Sequence, residues 1–248
     1  MNIQNGTGDQ GGAILNRGTL TVSECAFSGN SANAGGAILN SDTLTITGCT
    51  FSSNNASTSG GAIDNEAQAT CSCSRIVNNT AVSGNAIYNR GNFIATNNWW
   101  GTNTPDTATN LFYGTVDYTP WITMSFSADP STITPGGKSA INLTFSSACI
   151  PVTPVGFSTT EGTLTATLAN TVDGIATTTL IASYSGLSFT ASVTVGPDEE
   201  AYSLYLTVTP DPIIPGISIT KKINDSVAST QEPGVVVASD SMMDIRFC

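Results

Sequence analysis

Short stretches in which apolar and polar residues alternate, separated by Gly and Asn, recur along the first half of the chain. The sequence Gly-Gly-Ala-Ile at residues 11–14 returns at 35–38 and 60–63, and Gly-Asn-Ala-Ile stands at 84–87, so the spacings are 24, 25 and 24 residues. Alternation inside each copy is typical of short strands, whereas a helix would show a period of about 3.6 residues. The pattern therefore predicts a repeat built from strands.

Other positions repeat in step with this motif and form columns of one chemical kind. The bulky apolar column consists of Phe27, Phe51, Ile76 and Trp100. One Asn column follows the Ile of the motif and consists of Asn16, Asn40, Asn65 and Asn89. A second Asn column follows the bulky residues and consists of Asn30, Asn54, Asn79 and Asn103. Such columns indicate coils stacked in register.

A parallel β-helix accounts for these columns, because equivalent strands of successive coils stack about 4.8 Å apart and identical side chains then form ladders. Asn suits the turns since it tolerates left-handed backbone and its amide can pair with buried polar groups. We predict an all-β protein that begins with a right-handed parallel β-helix of about four coils over residues 1–121. The Asn columns are predicted to be internal ladders rather than an exposed carbohydrate-binding strip.

The repeat closes with an aromatic stretch. Trp99 and Trp100 are followed by Pro105, and Val-Asp-Tyr-Thr-Pro-Trp stands at residues 116–121. Because the end of a solenoid must be covered, we predict that Trp99, Trp100 and Pro105 cap the last coil.

The periodicity changes from residue 122 onward. Alternating strands separated by Gly-containing turns continue to residue 196, which predicts an Ig-like β-sandwich over 122–196. No Cys-Trp-Cys pattern of antibody domains is present, so Cys149 is expected to stand alone. Residues 197–248 are interpreted as a linker with a strand at 204–208, followed by an incomplete β-repeat that begins at 217–224.

Composition and charge narrow the function classes. The net charge is −11 with only 7 Lys and Arg, so nucleic-acid binding is not expected. His is absent, which removes the commonest general base and transition-metal ligand, and we expect no cofactor and no metal. No apolar run is long enough to span a membrane.

Few side chains are candidates for chemistry. Asp64 and Glu66 are the only acidic residues of the repeat region that stand close together, and they lack the converging groups that a catalytic site needs. Arg90 follows Glu66 in the same column, so an exposed ion pair between neighbouring coils is predicted. Cys25 and Cys49 share a column, and we expect them to face inward without a disulfide, because in-register neighbours have a poor geometry for bridging.

Two resemblances follow from the motifs. The Gly-Gly-Ala-Ile motif at 35–38, together with Phe51-Ser-Ser-Asn54, resembles the repeats of chlamydial polymorphic membrane proteins. Residues 97–105, followed by 116–121, look like the end of the β-helix in adhesin-like surface proteins of methanogenic archaea and some bacteria. Residues 129–137, 157–164 and 173–177 resemble bacterial and archaeal Ig-like modules of the invasin and adhesin type. The resemblance implies a β-helix fold and a place at the cell surface, and it implies no catalytic residues.

These observations favour a non-enzymatic, adhesin-like surface protein whose β-helix shaft and Ig-like stalk mediate attachment or build the cell envelope. Glycans or other surface proteins are the expected partners. A carbohydrate-active β-helix enzyme with its active coils elsewhere, and a purely structural surface-layer component, are the alternatives. The N-terminus lacks the features of a signal peptide, and Ile3 falls in register with Phe27, so the sequence is expected to be a fragment of an exported protein whose signal peptide was lost by truncation.

Overall fold

A computed structural model describes residues 1–105, 108, 110–133, 136–159, 162–181, 188–195 and 201–208. The described chain consists of β-strands, and a β-solenoid of about five coils forms its first half. No helix in these ranges is long and apolar enough to cross a bilayer.

Four parallel stacks of strands build the described solenoid. The first stack contains β1 (Asn2–Gln4), β5 (Ala26–Ser28), β9 (Thr50–Ser52) and β13 (Arg75–Val77). The second contains β2 (Thr7–Gln10), β6 (Ser31–Ala34) and β10 (Asn55–Ser59). The third contains β3 (Ile14–Asn16), β7 (Ile38–Asn40), β11 (Ile63–Asn65), β14 (Ile87–Asn89) and β16 (Phe112–Tyr113). The fourth contains β4 (Leu20–Ser23), β8 (Thr43–Thr47), β12 (Gln68–Ser72), β15 (Asn92–Ile94) and β17 (Val116–Asp117).

The register read from the sequence columns is the register of the structure. Ile38 pairs with Ile14 on one side and with Ile63 on the other, and Phe27 lies between Ile3 and Phe51. The number of coils is larger than the predicted four. β16 pairs with β14 and β17 pairs with β15, so the stretch predicted to close the repeat adds a further partial coil. It was missed because this coil lacks the Gly pair of the motif.

The interior of the solenoid is filled by the apolar columns. The rings of Phe27 and Phe51 stack with centroids 4.7 Å apart and planes 5° from parallel, as stacked identical coils require. Trp100 packs into this interior and meets Phe112 edge-on at 4.8 Å. Burial of these columns supplies the main stabilisation of the coils.

The second unit contains the remaining strands and forms two sheets. One sheet is antiparallel and contains β18 (Met124–Asp129), β20 (Lys138–Phe145), β24 (Ile175–Ile181) and β22 (Thr163–Leu164). The other contains β19 (Thr132–Ile133), β26 (Ala201–Val208), β25 (Ser188–Val195), β21 (Pro154–Thr159) and β23 (Leu168–Asn170). Side chains of both sheets share one core, which includes Leu143 and Val155.

β26 pairs with β25, so the second sheet continues past the boundary at residue 196 that the sequence indicated. The strand expected at 204–208 is therefore present, as part of this sheet. The predicted repeat that begins at 217–224 lies outside the described residues.

A disulfide and an aromatic contact join the solenoid to the second unit. Cys73 and Cys149 form a disulfide with Cα atoms 5.2 Å apart, although 76 residues separate them in sequence. The ring of Trp99 meets that of Phe145 edge-on at 5.2 Å, within the core of the second unit. The expectation that Cys149 stands alone is wrong. Cys73 has a φ of 53° at its turn and lies one position off the inward cysteine column, and the structure brings it to Cys149.

The Asn103 side chain strengthens this joint. Its Nδ2 donates to the carbonyl of Met124 at 2.8 Å, and its Oδ1 accepts from the amide of Met124 at 2.6 Å. Both polar groups of the first residue of β18 are thus satisfied by the last coil.

Candidate functional site

The first Asn column ends the strands of the third stack and the second follows the strands of the first stack, and all of these residues except Asn103 are buried. In the first column the side-chain Nδ2 of Asn16 donates to Asn40 at 2.6 Å, that of Asn40 donates to Asn65 at 2.7 Å, and that of Asn65 donates to Asn89 at 2.8 Å. Each of these side chains is at most 7% exposed. In this arrangement their amides bind neighbouring coils and not an external ligand.

The second column behaves in the same way over three coils. Asn30 donates to Asn54 at 2.9 Å, and Asn54 donates to Asn79 at 2.8 Å. Asn103, the fourth member, binds Met124 at the joint. Trp99 and Trp100, placed together in the predicted cap, pack into different cores, and Pro105 is buried.

Cys25, Cys49 and Cys71 of the solenoid are unbridged, as predicted for Cys25 and Cys49. Burial raises the pKa of Cys49, and burial raises the pKa of Cys71 to about 12, so neither carries a thiolate near neutral pH. Within the described residues no three His, Cys, Asp or Glu side chains converge into a group that could hold a metal ion.

A groove runs along the solenoid between its second and third stacks. One section has a volume of about 500 Å³ and is lined by Ser57, Thr58, Ser59, Ser83, Tyr88 and Arg90, among others. Another section has a volume of about 650 Å³ and is lined by Asp9, Leu15 and Asn33, among others. Ala34 lines both sections, so they are neighbours on the surface. We call this surface the groove.

One column of the third stack contributes two residues to the groove, Leu15 and Tyr88, while Leu39 and Asp64 of the same column are buried. Strand pairing places its members in the order Leu15, Leu39, Asp64, Tyr88 and Tyr113. Five positions at a spacing of about 4.8 Å give this column a length of about 19 Å. The chemistry changes along this line, because the first coils present leucines and the last two coils present tyrosines.

Asp64 is the central residue of this column and is 0% exposed. Ser59 donates a hydrogen bond to its Oδ2, while Oδ1 has no hydrogen bond among the described residues and lies 3.5 Å from Nη2 of Arg90. Burial raises the pKa of Asp64 because it penalises the charged carboxylate, and the contacts with Ser59 and Arg90 offset part of that rise. The carboxyl is positioned to hold Arg90, and Arg90 itself faces the groove.

Arg90 links the acidic residues to the aromatic ones. Its Nη2 donates to Glu66 at 3.0 Å, with the two side chains 51% and 39% exposed, so the predicted ion pair between these coils is confirmed. The same guanidinium lies over the Tyr88 ring, with Cζ 5.1 Å from the centroid. Tyr88 in turn stacks on Tyr113 with centroids 4.4 Å apart and planes 4° from parallel. Arg90, Tyr88 and Tyr113 therefore form one stack along the groove.

Sequence reasoning did not identify the groove. Tyr88 belongs to a column that directly follows the Ile of the motif, and this column could have been read as an outward face from alternation alone. Tyr113 was harder to place, since Leu-Phe-Tyr at residues 111–113 replaces the Ala-Ile-Tyr of residues 86–88. The contact between Asp64 and Arg90 depends on side-chain direction and carries no sequence signal of its own.

Two comparisons with known proteins give matches. The family model of the Chlamydia polymorphic membrane protein repeat matches residues 24–41 and 48–66, as the Gly-Gly-Ala-Ile and Phe-x-x-Asn motifs predicted. The solved D00-D0 domain of intimin is similar to this chain at 21% identity with a TM-score of 0.30, over 34% of this chain and 46% of that one. The chain thus spans less than half the length of that domain structure. None of the curated proteins matches. The chain carries repeats of the polymorphic membrane protein type.

Proposed function

We propose that this chain is part of a non-enzymatic, adhesin-like protein of the cell surface, in which the solenoid, residues 1–121, is a shaft and the second unit is an Ig-like stalk. Two sheets around one core support the Ig-like assignment. Right-handed winding of the coils belongs to the proposal, since it is the usual hand of parallel crossover connections. The shaft would present its groove to a partner outside the cell.

The joint between the solenoid and the second unit carries the proposal. An attachment protein must transmit force from the point of contact to its anchor, so its parts cannot hinge freely. Here the disulfide between Cys73 and Cys149, the contact of Trp99 with Phe145 and the Asn103 hydrogen bonds tie the last coils to the second unit. Without such links, two domains of one chain move relative to each other, because the interface between them resembles a transient protein–protein interface.

The disulfide also supports a place outside the cytoplasm. Disulfides persist in oxidising compartments, such as the periplasm and cell surface, and are rare in reducing cytosol. The match of residues 24–41 and 48–66 to the polymorphic membrane protein repeat supports the same location.

Attachment is tested with beads that carry the purified chain. We expect these beads to remain on cells or extracellular matrix under flow, in larger number than beads that carry albumin. A matched set of beads carries the Cys73→Ser, Cys149→Ser double variant, and we expect fewer of them to remain as the shear increases. Retention of the unmodified chain no better than that of albumin would refute the attachment role.

A further inference from the structure

The outward face of the fourth stack is an ordered array of hydroxyl groups, and we propose that this array binds the surface of ice. We call it the hydroxyl face. Its members lie on the first three coils, at the outward positions of β4, β8 and β12 and directly before β4: Thr19, Thr21, Ser23, Thr43, Thr45, Thr47, Gln68, Thr70 and Ser72. The inference goes beyond the proposed function, because it concerns a surface other than the groove and holds whether or not the chain attaches to cells.

Alternation within the strands places these residues on the surface. Leu44 and Ile46 of β8 are 1% exposed and belong to the core, so Thr43, Thr45 and Thr47 face outward. β4 and β12 alternate in the same way, and both pair with β8 in register and without a bulge. Eight of the nine positions carry a hydroxyl, so the face has one chemical character in two dimensions.

The array has two fixed spacings. Neighbouring coils are about 4.8 Å apart, and alternate residues of one strand are about 6.7 Å apart. The oxygen atoms on the prism faces of ice repeat at distances close to both of these spacings. The face measures about 10 Å along the coils and about 13 Å along the strands, so several hydroxyls can occupy oxygen positions of the ice lattice at once.

The hydroxyls of this face are available to water. Thr43 donates to Oδ1 of Asp42 at 3.2 Å, and Gln68 accepts from Asn92 at 3.0 Å. The other seven side chains make no hydrogen bond among the described residues. Each free hydroxyl can donate one hydrogen bond and accept two, as a water molecule of the lattice requires of its neighbours.

Hydroxyls on other faces of the solenoid have partners within the protein. Ser41 donates to Glu66 at 3.0 Å, and Ser57 donates to Asn33 at 2.8 Å. Such hydroxyls contribute to contacts between coils. Those of the hydroxyl face make no such contacts, which leaves them to an external partner.

The side chains of the array are also stiff. Threonine is β-branched, and its χ1 angle is restricted to few rotamers, so the positions of its hydroxyl and methyl groups are largely set by the backbone. A surface that is ordered before binding loses little entropy when it meets a rigid partner. The methyl groups lie between the hydroxyls and add apolar area that is removed from liquid water on contact.

Charge favours a neutral partner. No residue of the hydroxyl face is charged, although the whole chain carries a net charge of −11. A charged side chain would hold its own hydration water against ice, because removing that water is costly. A charged partner would instead be matched by opposite charges on the protein, which this face does not offer.

The hydroxyl face has defined limits. Along the coils it ends at β15, where Ile94 pairs with Thr70 and takes the place of a hydroxyl. Along the strands, Ser23 and Thr47 lie beside residues 149–152 of the second unit, which border the face on that side. Thr45 lies at the centre of the array and is therefore the position at which to disrupt it.

The test is the incorporation of the full chain into ice that grows slowly from its solution. We expect the fraction of the chain in the ice to exceed that of albumin several-fold, and we expect single ice crystals in the solution to become faceted. Thr45→Tyr raises a bulky ring above the array and should lower the incorporated fraction to that of albumin. Thr70→Tyr should have the same effect at an exposed position of the next coil.

Ser127→Tyr is the matched control, since Ser127 is exposed on β18 of the second unit. It should leave the incorporated fraction unchanged. Thermal unfolding of each variant shows whether it is folded, so a loss of ice binding is assigned to the array only where the fold is intact. Two tyrosine variants on separate coils guard against a single one that does not fold.

Binding to powdered crystalline cellulose separates ice from a solid polysaccharide, and we expect none. Incorporation of the unmodified chain no greater than that of albumin would overturn the proposal. Equal incorporation of the unmodified chain and the folded Thr45→Tyr and Thr70→Tyr variants would overturn it as well. Binding to cellulose that depends on Thr45, without incorporation into ice, would show that the face recognises sugars and not the ice lattice.

Discussion

Asn40 donates a hydrogen bond of 2.7 Å to Asn65 in the next coil, and both side chains are 0% exposed. The Oδ1 of Asn40 also accepts from Asn16 at 2.6 Å, and its two N–H groups are shared among Asn65 and the carbonyls of Asp42 and Gln68. One amide therefore satisfies polar groups of three successive coils, and the ladder fixes how the coils align.

Removal of this amide should loosen the coils on both sides. We predict that Asn40→Ala lowers the opening free energy of the amides of β11 by about 3 kcal/mol or more, because several buried polar groups lose their partner at about 1–3 kcal/mol each. Hydrogen exchange of the Ile63 amide measures this. Asn33→Ala is the control, since Asn33 is exposed, and it should change the value by less than about 0.5 kcal/mol. Equal effects of both variants would show that the ladder is dispensable.

The two acidic partners of Arg90 should contribute unequally. In a double-mutant cycle, Glu66→Ala with Arg90→Ala should give a coupling energy below about 1 kcal/mol, because the pair is exposed to water and salt. The cycle of Asp64→Asn with Arg90→Gln should give a larger coupling, since Asp64 is 0% exposed. Urea unfolding of the four chains in each cycle provides the free energies. A larger coupling for Glu66 than for Asp64 would contradict the assigned roles.

Asp64 should make stability depend on pH in a defined direction. Its folded-state pKa is raised above the ordinary value of 3.8, so the folded chain holds this proton more tightly than the unfolded chain. The stabilisation of the fold by this proton is complete below pH 3.8, the ordinary pKa, and is lost as the pH rises through the raised pKa of Asp64. We therefore predict that the unmodified chain loses stability relative to Asp64→Asn as pH rises through this window.

Arg90→Gln extends the same experiment. Because Arg90 lowers the pKa of Asp64, its removal should shift the loss of stability to higher pH. Thermal unfolding at a series of pH values, with Asp64→Asn as the reference at each pH, measures both effects. If the stability of the unmodified chain increased with pH relative to that of Asp64→Asn, the fold would favour the carboxylate of Asp64 over the protonated form, against the prediction.

The sequence predicted the features that repeat. The pairing of Ile14, Ile38 and Ile63 could be predicted because equivalent residues recur at a fixed spacing along the sequence. Each coil therefore indicates which residues it pairs with in the next coil. The ion pair of Glu66 with Arg90 followed from the same register.

Features that occur once were not predictable in this way. The disulfide of Cys73 with Cys149 spans 76 residues and depends on how two units meet, which no periodicity encodes. The last coil was missed because Phe112 replaces an Ile without the preceding Gly pair. The groove is lined by residues of two different stacks, so these residues are adjacent in space and lie in separate columns of the sequence.

The proposed function depends most on the solenoid and the second unit being tied together as one shaft, and single-molecule pulling on the two ends of the full chain tests this directly. The disulfide should shield the 76-residue span between Cys73 and Cys149 from extension. We predict that the Cys73→Ser, Cys149→Ser variant unfolds to a contour about 250 Å longer than the oxidised chain, at about 3.3 Å per residue. Cys25→Ser, which removes an unbridged thiol, should match the unmodified chain. Equal contour lengths for the oxidised chain and the double variant would contradict the account.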